Sequence, residues 1–267
     1  MIIANVMGEL SDKIIGNSMY SNSLYAWIDA IAYTLQIFYD FSAYSDMAIG
    51  LGMMMGFHFK ENFNYPYISS SITEFWRRWH ISLSSWFRDY VYIPLGGNRK
   101  GKLRTYINLG IIFLATGIWH GVAWNYILWG IWHGCFCILE RLGFLKVLSK
   151  IPKLFSWIYT SIVVIVGWVL FRIENLPQAL SYIKNMFSFQ QIYTEQWYII
   201  NDNKYIIVGL IAIIYSFPVV KIFSKLYEKG SNKIVFVIKD TLVFGVFLIS
   251  IVFLARSGFN PFIYFKF

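Results

Sequence analysis

The 267 residues are 57% hydrophobic, 20% aromatic and only 14% charged, with a mean hydropathy of +0.53. That balance excludes an ordinary soluble domain and a disordered chain, and it reads as an integral membrane protein. The net charge of +9 does not point to nucleic acid, because Lys and Arg fall in blocks between apolar runs, as the positive-inside rule predicts.

Residues 1–22 are mixed and mildly acidic, without a basic segment followed by an apolar core, so no cleavable signal peptide is expected. Candidate spans of roughly 20 apolar residues then recur at 30–57, 105–118, 122–139, 155–171, 205–220 and 235–255. Several are short for a straight crossing, which predicts tilted or broken helices. The longer run that holds the first of these, LYAWIDAIAYTLQIFYDFSAYSDMAIGLGMMMGF, carries Asp29, Asp40 and Asp46; acids at membrane depth are costly and suggest either a site or pairing with neighbouring Tyr and Ser. It also holds Gly52 and Gly56, a GxxxG spacing that predicts close approach of a second helix rather than dinucleotide binding.

After Phe57 a polar, Pro-containing connection leads to Ser71 and Glu74, spaced as a capping box that starts a helix. Apolar side chains at 72, 75, 79, 83 and 86 define one face, and Trp76, His80, Ser84 and Arg88 follow one another on another. One amphipathic helix, interfacial or re-entrant, is predicted over this stretch. A Pro and Gly-Gly turn then closes on the basic block Arg99, Lys100, Lys102 and Arg104.

An apolar run reaches His120, where Gly117 and Gly121 are expected to loosen the helix around a polar group, as broken membrane helices do at sites. WGIWHG echoes this motif and places His133 thirteen residues further on. Cys135 and Cys137 are the only cysteines, and two thiols in an apolar run build neither a disulfide framework nor a zinc site. A second basic block is Arg141, Lys146, Lys150 and Lys153, and a third is Lys221, Lys225, Lys229, Lys233 and Lys239. The connection at 172–204 balances three cations against three acids. Six crossings would put all three blocks in the cytoplasm and both termini outside. The chain ends on the aromatic NPFIYFKF, suited to a membrane interface.

Four histidines at spacings of 22, 40 and 13 contain no HxxxH or HExxH, so a metal site has little support, and no GxSxG elbow is present. A histidine acting on a hydroxyl acceptor, or a pore lined by polar groups, remains. His120 is the foremost candidate for proton transfer, while His58 lies in a polar loop and reads as structural.

The segments FYDFSAYSDMAIGLG, ENFNYPYISSSITEFWRRWHISLSSWFRDYVYIPLGGNRKG, TGIWHG, WGIWHG and FIYFKF together resemble the membrane-bound O-acyltransferases, in particular the bacterial alginate O-acetyltransferase type. The resemblance runs nearly from residue 1 to 267, with Ala43 where the family commonly has Gly. It implies an all-α, polytopic protein of the bacterial cytoplasmic membrane around a central funnel, with 1–267 as the C-terminal portion of such a domain and further helices ahead of it. It places the essential histidine at His120 and a second polar site at His80. It also implies acetyl-CoA as donor, no bound cofactor, a polysaccharide or cell-wall acceptor, and an extracytoplasmic relay protein of the SGNH-hydrolase type. The donor's phosphates would suit Arg99, Lys100, Lys102 and Arg104. A transporter or scaffold subunit without chemistry of its own is the rival expectation; a single cavity lined by His80 and His120 separates the two.

Overall fold

A computed structural model describes residues 2–188, 200–219, 221 and 233–256, and every regular element among them is helical. In chain order these are α1 (Ile2–Gly16), α2 (Ser23–Met54), α3 (Ile72–Arg78), α4 (Ile81–Phe87), α5 (Lys102–His120), α6 (Trp124–Leu139), α7 (Leu145–Leu148), α8 (Lys153–Arg172), α9 (Leu176–Met186), α10 (Asn203–Ser216) and α11 (Lys233–Arg256). Two single π-helical turns, Arg88–Tyr92 and Glu140–Phe144, continue α4 and α6. The NPFIYFKF segment, and the third basic block apart from Lys221, Lys233 and Lys239, lie outside the described residues, as do the side chains of Lys233 and Lys239.

Helix α2 starts where the Asn22 side chain accepts from Leu24 N at 2.9 Å. Its 32 residues would reach ~48 Å at 1.5 Å per residue, well beyond a ~30 Å hydrocarbon layer. Each apolar run forms a helix, with ends shifted by a few residues from those expected. Among the described residues, α8 is the one helix that is long and apolar enough to cross a bilayer by length and composition; α10 and the 240–253 part of α11 are shorter apolar stretches.

The main core gathers Tyr33, Ile37, Phe38 and Phe41 of α2, Ile72 and Phe75 of α3, Trp79, Phe113 of α5, Trp129 of α6 and Trp168 of α8. A second core joins α1, α2 and α10 through Met7, Ile14, Tyr25, Leu35 and Ala212. Asp29 is buried and satisfied. It accepts from Arg172 Nη1 at 2.9 Å, from Tyr182 Oη at 2.5 Å and from Ser11 Oγ, while Arg172 also bonds Asp12 and lies over the Tyr33 ring. This cluster ties α1, α2, α8 and α9 together. Asp40 is buried, and Asp46 is exposed near the end of α2.

Three expectations are corrected. The helix predicted from Ser71 onward is two helices, because His80 takes a left-handed conformation (φ 45°, ψ 56°) between α3 and α4. The connection before α3 stabilises that break: Ile81 N donates to Asn62 O at 2.9 Å, Ser82 N to Asn62 Oδ1 at 3.1 Å, and Asn64 N to Arg78 O at 2.9 Å. Gly117 does not loosen α5. The helix runs through it, and a Cβ there would stand 2.6 Å from Tyr126 O of α6. Among the described residues, close approach of α5 and α6 falls at Gly117, Gly130 and Gly134, and not at Gly52 and Gly56: a Cβ on Gly52 would strike the Phe59 ring, and one on Gly56 would meet no described atom within 4 Å. A GxxxG spacing marks a contact only where a helix is there to receive it.

Candidate active site

Helix α3 opens as expected from its cap. Glu74 N donates to Ser71 Oγ at 3.0 Å, and Ser70 N donates to Glu74 Oε2 at 2.9 Å. At the other end of α3 the left-handed turn swings His80 inward, where it is 8% exposed and packs edge-on against Phe41 at 4.7 Å. His120 is the last residue of α5, ahead of Gly121, and its ring meets Trp129 and Phe171 edge-on, each at 5.1 Å.

These two histidines, forty residues apart, line one cavity of about 20 Å³ with Trp76, Trp79, Leu83, Trp129, Trp168 and Phe171. That is room for one small group, since a water needs ~10–15 Å³ on this measure. His80 Nδ1 lies 3.2 Å from Asn62 Oδ1, an atom that already accepts from Ser82 N and Ser82 Oγ. An amide oxygen only accepts, so the Asn62 contact favours the tautomer with the proton on Nδ1 and the lone pair of neutral His80 on Nε2, with the Ser82 hydroxyl 3.3 Å from Nδ1. Nε2 is buried without a partner among the described residues, and so are the indole N–H groups of Trp76, Trp129 and Trp168. Buried polar atoms are nearly always satisfied, so four such atoms on residues around one cavity mark a place suited to a polar guest.

Trp76 and Leu83 also line a larger space of about 470 Å³, together with Ser84, Phe113, Thr116 and Cys137. That space shares Thr73, Arg77, Asn98 and Arg141 with a third, of about 670 Å³, which adds Lys102, Thr105, Glu140 and Lys146. Shared walls thus set a basic cleft beside an apolar chamber, and the chamber beside the cavity of the two histidines. At the cleft the first and second basic blocks meet, and Arg141 Nη1 donates to Asn98 Oδ1 at 2.9 Å.

Of the four basic residues expected to face a donor, the structure brings Lys102 to this cleft. Arg99 lines a separate depression of about 240 Å³, Lys100 is exposed with its aliphatic stem against Gly96, and Arg104 buries its Nε without a partner among the described residues. Arg77 and Arg141 hold the corresponding positions in the cleft. His58 is exposed, and His133 is fully buried between Phe75, Trp76 and Trp129. Asn62, Arg77, Trp129 and Glu140 were not singled out from the sequence. Asn62 carries no signal there beyond being an Asn in a polar loop, whereas Glu140, an acid closing an apolar run, was a signal available to be used.

The model of the membrane-bound O-acyltransferase family, MBOAT, matches residues 15–177, a range that holds both histidines and all three spaces. The chain belongs to this family, and it is a membrane protein. It is similar to a probable alginate O-acetylase, AlgI, of Pseudomonas putida at 43% identity over 267 residues, covering 91% of this chain and 53% of that protein. AlgI of Pseudomonas aeruginosa matches at 56% over 164 residues (61% of this chain, 32% of that protein), and a peptidoglycan O-acetyltransferase of Helicobacter pylori at 39% over 189 residues (70% and 36%). The chain thus spans about half the length, or less, of these relatives.

Proposed function

We propose that this chain carries the catalytic part of a multi-pass O-acyltransferase of the bacterial cytoplasmic membrane, which moves an acetyl group from acetyl-CoA towards a polysaccharide or cell-wall hydroxyl. The observation that carries the reading is the shared cavity of His80 and His120, with unpartnered ring nitrogens on His80, Trp76 and Trp129. The names of the relatives, which act on alginate and peptidoglycan, supply the acceptor class.

In this mechanism the donor's phosphates rest in the basic cleft on Arg77, Lys102, Arg141 and Lys146, where guanidinium and ammonium groups suit them. Its thioester arm follows the apolar chamber. Lys102 and His120 stand at opposite ends of α5, ~27 Å apart at 1.5 Å per residue, so the acyl group must travel on a long arm. The small cavity beside Trp76 and Leu83, about 20 Å³, favours a small acyl group over a long one.

His120 takes the proton of the acceptor hydroxyl as that oxygen attacks the thioester carbonyl. The C–O bond forms, the C–S bond breaks, and the proton passes to the departing thiolate. His80 orients the acceptor: with Nδ1–H held by Asn62, its Nε2 accepts from a second hydroxyl of the acceptor, leaving the attacking hydroxyl's proton to His120, and it is not a donor for an oxyanion. In this reading the buried, unpartnered indole N–H groups of Trp76 and Trp129 donate to the carbonyl oxygen as charge develops there. An extracytoplasmic relay protein of the SGNH type would carry the group onward.

The test is His120→Ala in membranes containing the protein. Acetyl transfer should fall by ~10²–10⁴-fold, the usual contribution of general-base catalysis, while the amount of membrane protein stays near wild type. A variant that keeps most of its transfer rate would leave the transporter or scaffold reading in its place.

A further inference from the structure

Glu140 is 0% exposed at the junction of α6 and its π-helical turn. Its Oε1 accepts from Ile72 N at 2.6 Å and its Oε2 from Thr73 N at 2.8 Å, while the Tyr159 hydroxyl of α8 lies 3.4 Å from Oε1. Ile72 and Thr73 are the first two residues of α3, and the next amide is taken by Ser71 Oγ. The opening amides of α3 are therefore satisfied by one local cap and by one carboxylate sixty-eight residues away.

A helix of seven residues does not hold its own position, since helix formation in so short a segment is unfavourable without outside contacts. This one carries Trp76 and Arg77 and delivers His80. The residue after Glu140 is Arg141, which lines the basic cleft together with Arg77.

We infer that Glu140 is a positioning residue for transfer: by clamping the start of α3 it sets His80 and Trp76 against His120 and holds the Arg77 wall of the donor path in register with Arg141. This rests on the acyl-transfer reading above. Its physical content is that two backbone N–H groups need two acceptors at one site, which a carboxylate supplies and an amide does not.

Glu140→Gln keeps the shape but turns an NH2 towards an N–H. Turnover per folded molecule should fall tenfold or more, Glu140→Asp should recover part of it, and the loss should shrink to about twofold when His80 is already Ala, because the two act through one element. Unchanged turnover per folded molecule, or losses that multiply in the double variant, would overturn the inference.

A second readout needs no activity. With Cys135 and Cys137 replaced by Ser and a thiol reporter placed by His80→Cys, Glu140→Gln should speed alkylation of that thiol severalfold, and an unchanged rate would refute the clamp. If the wild type shows no acetyl transfer at all, the functional reading fails on that result alone, and alkylation still decides the clamp.

Discussion

At the scale of single residues, the chemistry rests on which atoms are free and which are held. Asn62 holds His80 Nδ1 at 3.2 Å and so leaves Nε2 to the cavity. Asp29 is the opposite case, an acid wholly engaged by Arg172, Tyr182 and Ser11. Asp29→Ala removes the buried carboxylate of the Arg172 guanidinium, which is only 16% exposed and keeps Asp12 and Ser11, and losing one partner of a buried pair costs up to about 3–5 kcal/mol. The prediction is a large loss of folded protein in a detergent melt, with transfer per surviving molecule near normal. His58→Ala, on an exposed loop, should be silent in both measurements. The donor cleft makes its own demand: Arg141→Ala and Lys102→Ala should each raise the KM for acetyl-CoA severalfold with kcat little changed, whereas Arg99→Ala should leave KM alone. Equal effects from all three would mean that the basic block acts by general charge and not as a site.

At the scale of elements, the helices that follow an unbroken apolar run were legible because sequence period and burial agree there, as in α5, α6 and α8. What was not legible is what tertiary partners impose. Periodicity carried one helix through His80, but a left-handed turn at 80 is held by Asn62 and Asn64 of another segment, and no local pattern reports that. The two histidines were legible by type and motif, yet their meeting in one cavity depends on that unforeseen break. Glycine was misread for the same reason, since spacing alone does not say which face another helix covers. This yields a paired test in melts and transfer assays. Gly130→Ala drives a methyl into Phe113 O, and overpacking of this kind costs ~1–3 kcal/mol; it should also slow transfer by shifting Trp129 relative to His120. Gly110→Ala, on α5 with nothing within 4 Å of its added carbon, should be neutral or gain up to about 1 kcal/mol from helix propensity. If Gly110→Ala proved as harmful as Gly130→Ala, close packing of α5 on α6 would not be the cause.

At the scale of the whole molecule, charge and helix direction run together. Lys102 of the first basic block and Arg141 and Lys146 of the second line one cleft at the start of α5 and the end of α6, while His120 and Arg172 end α5 and α8. If that basic end faces the cytoplasm, single cysteines at 100 and 150 should label from inside only, and one at 190 from outside. Labelling of 190 from the same side as the other two would overturn the topology.

The central claim is that His120 and His80 serve one reaction in one cavity. The measurement that tests it most directly is a double-mutant cycle on kcat/KM for acetyl transfer with His120→Ala, His80→Ala and the pair. Residues that act as a unit lose little more together than the worse one loses alone, so the account predicts a pair within a few-fold of His120→Ala. Losses that multiply, or a His80→Ala protein as active as wild type, would contradict it.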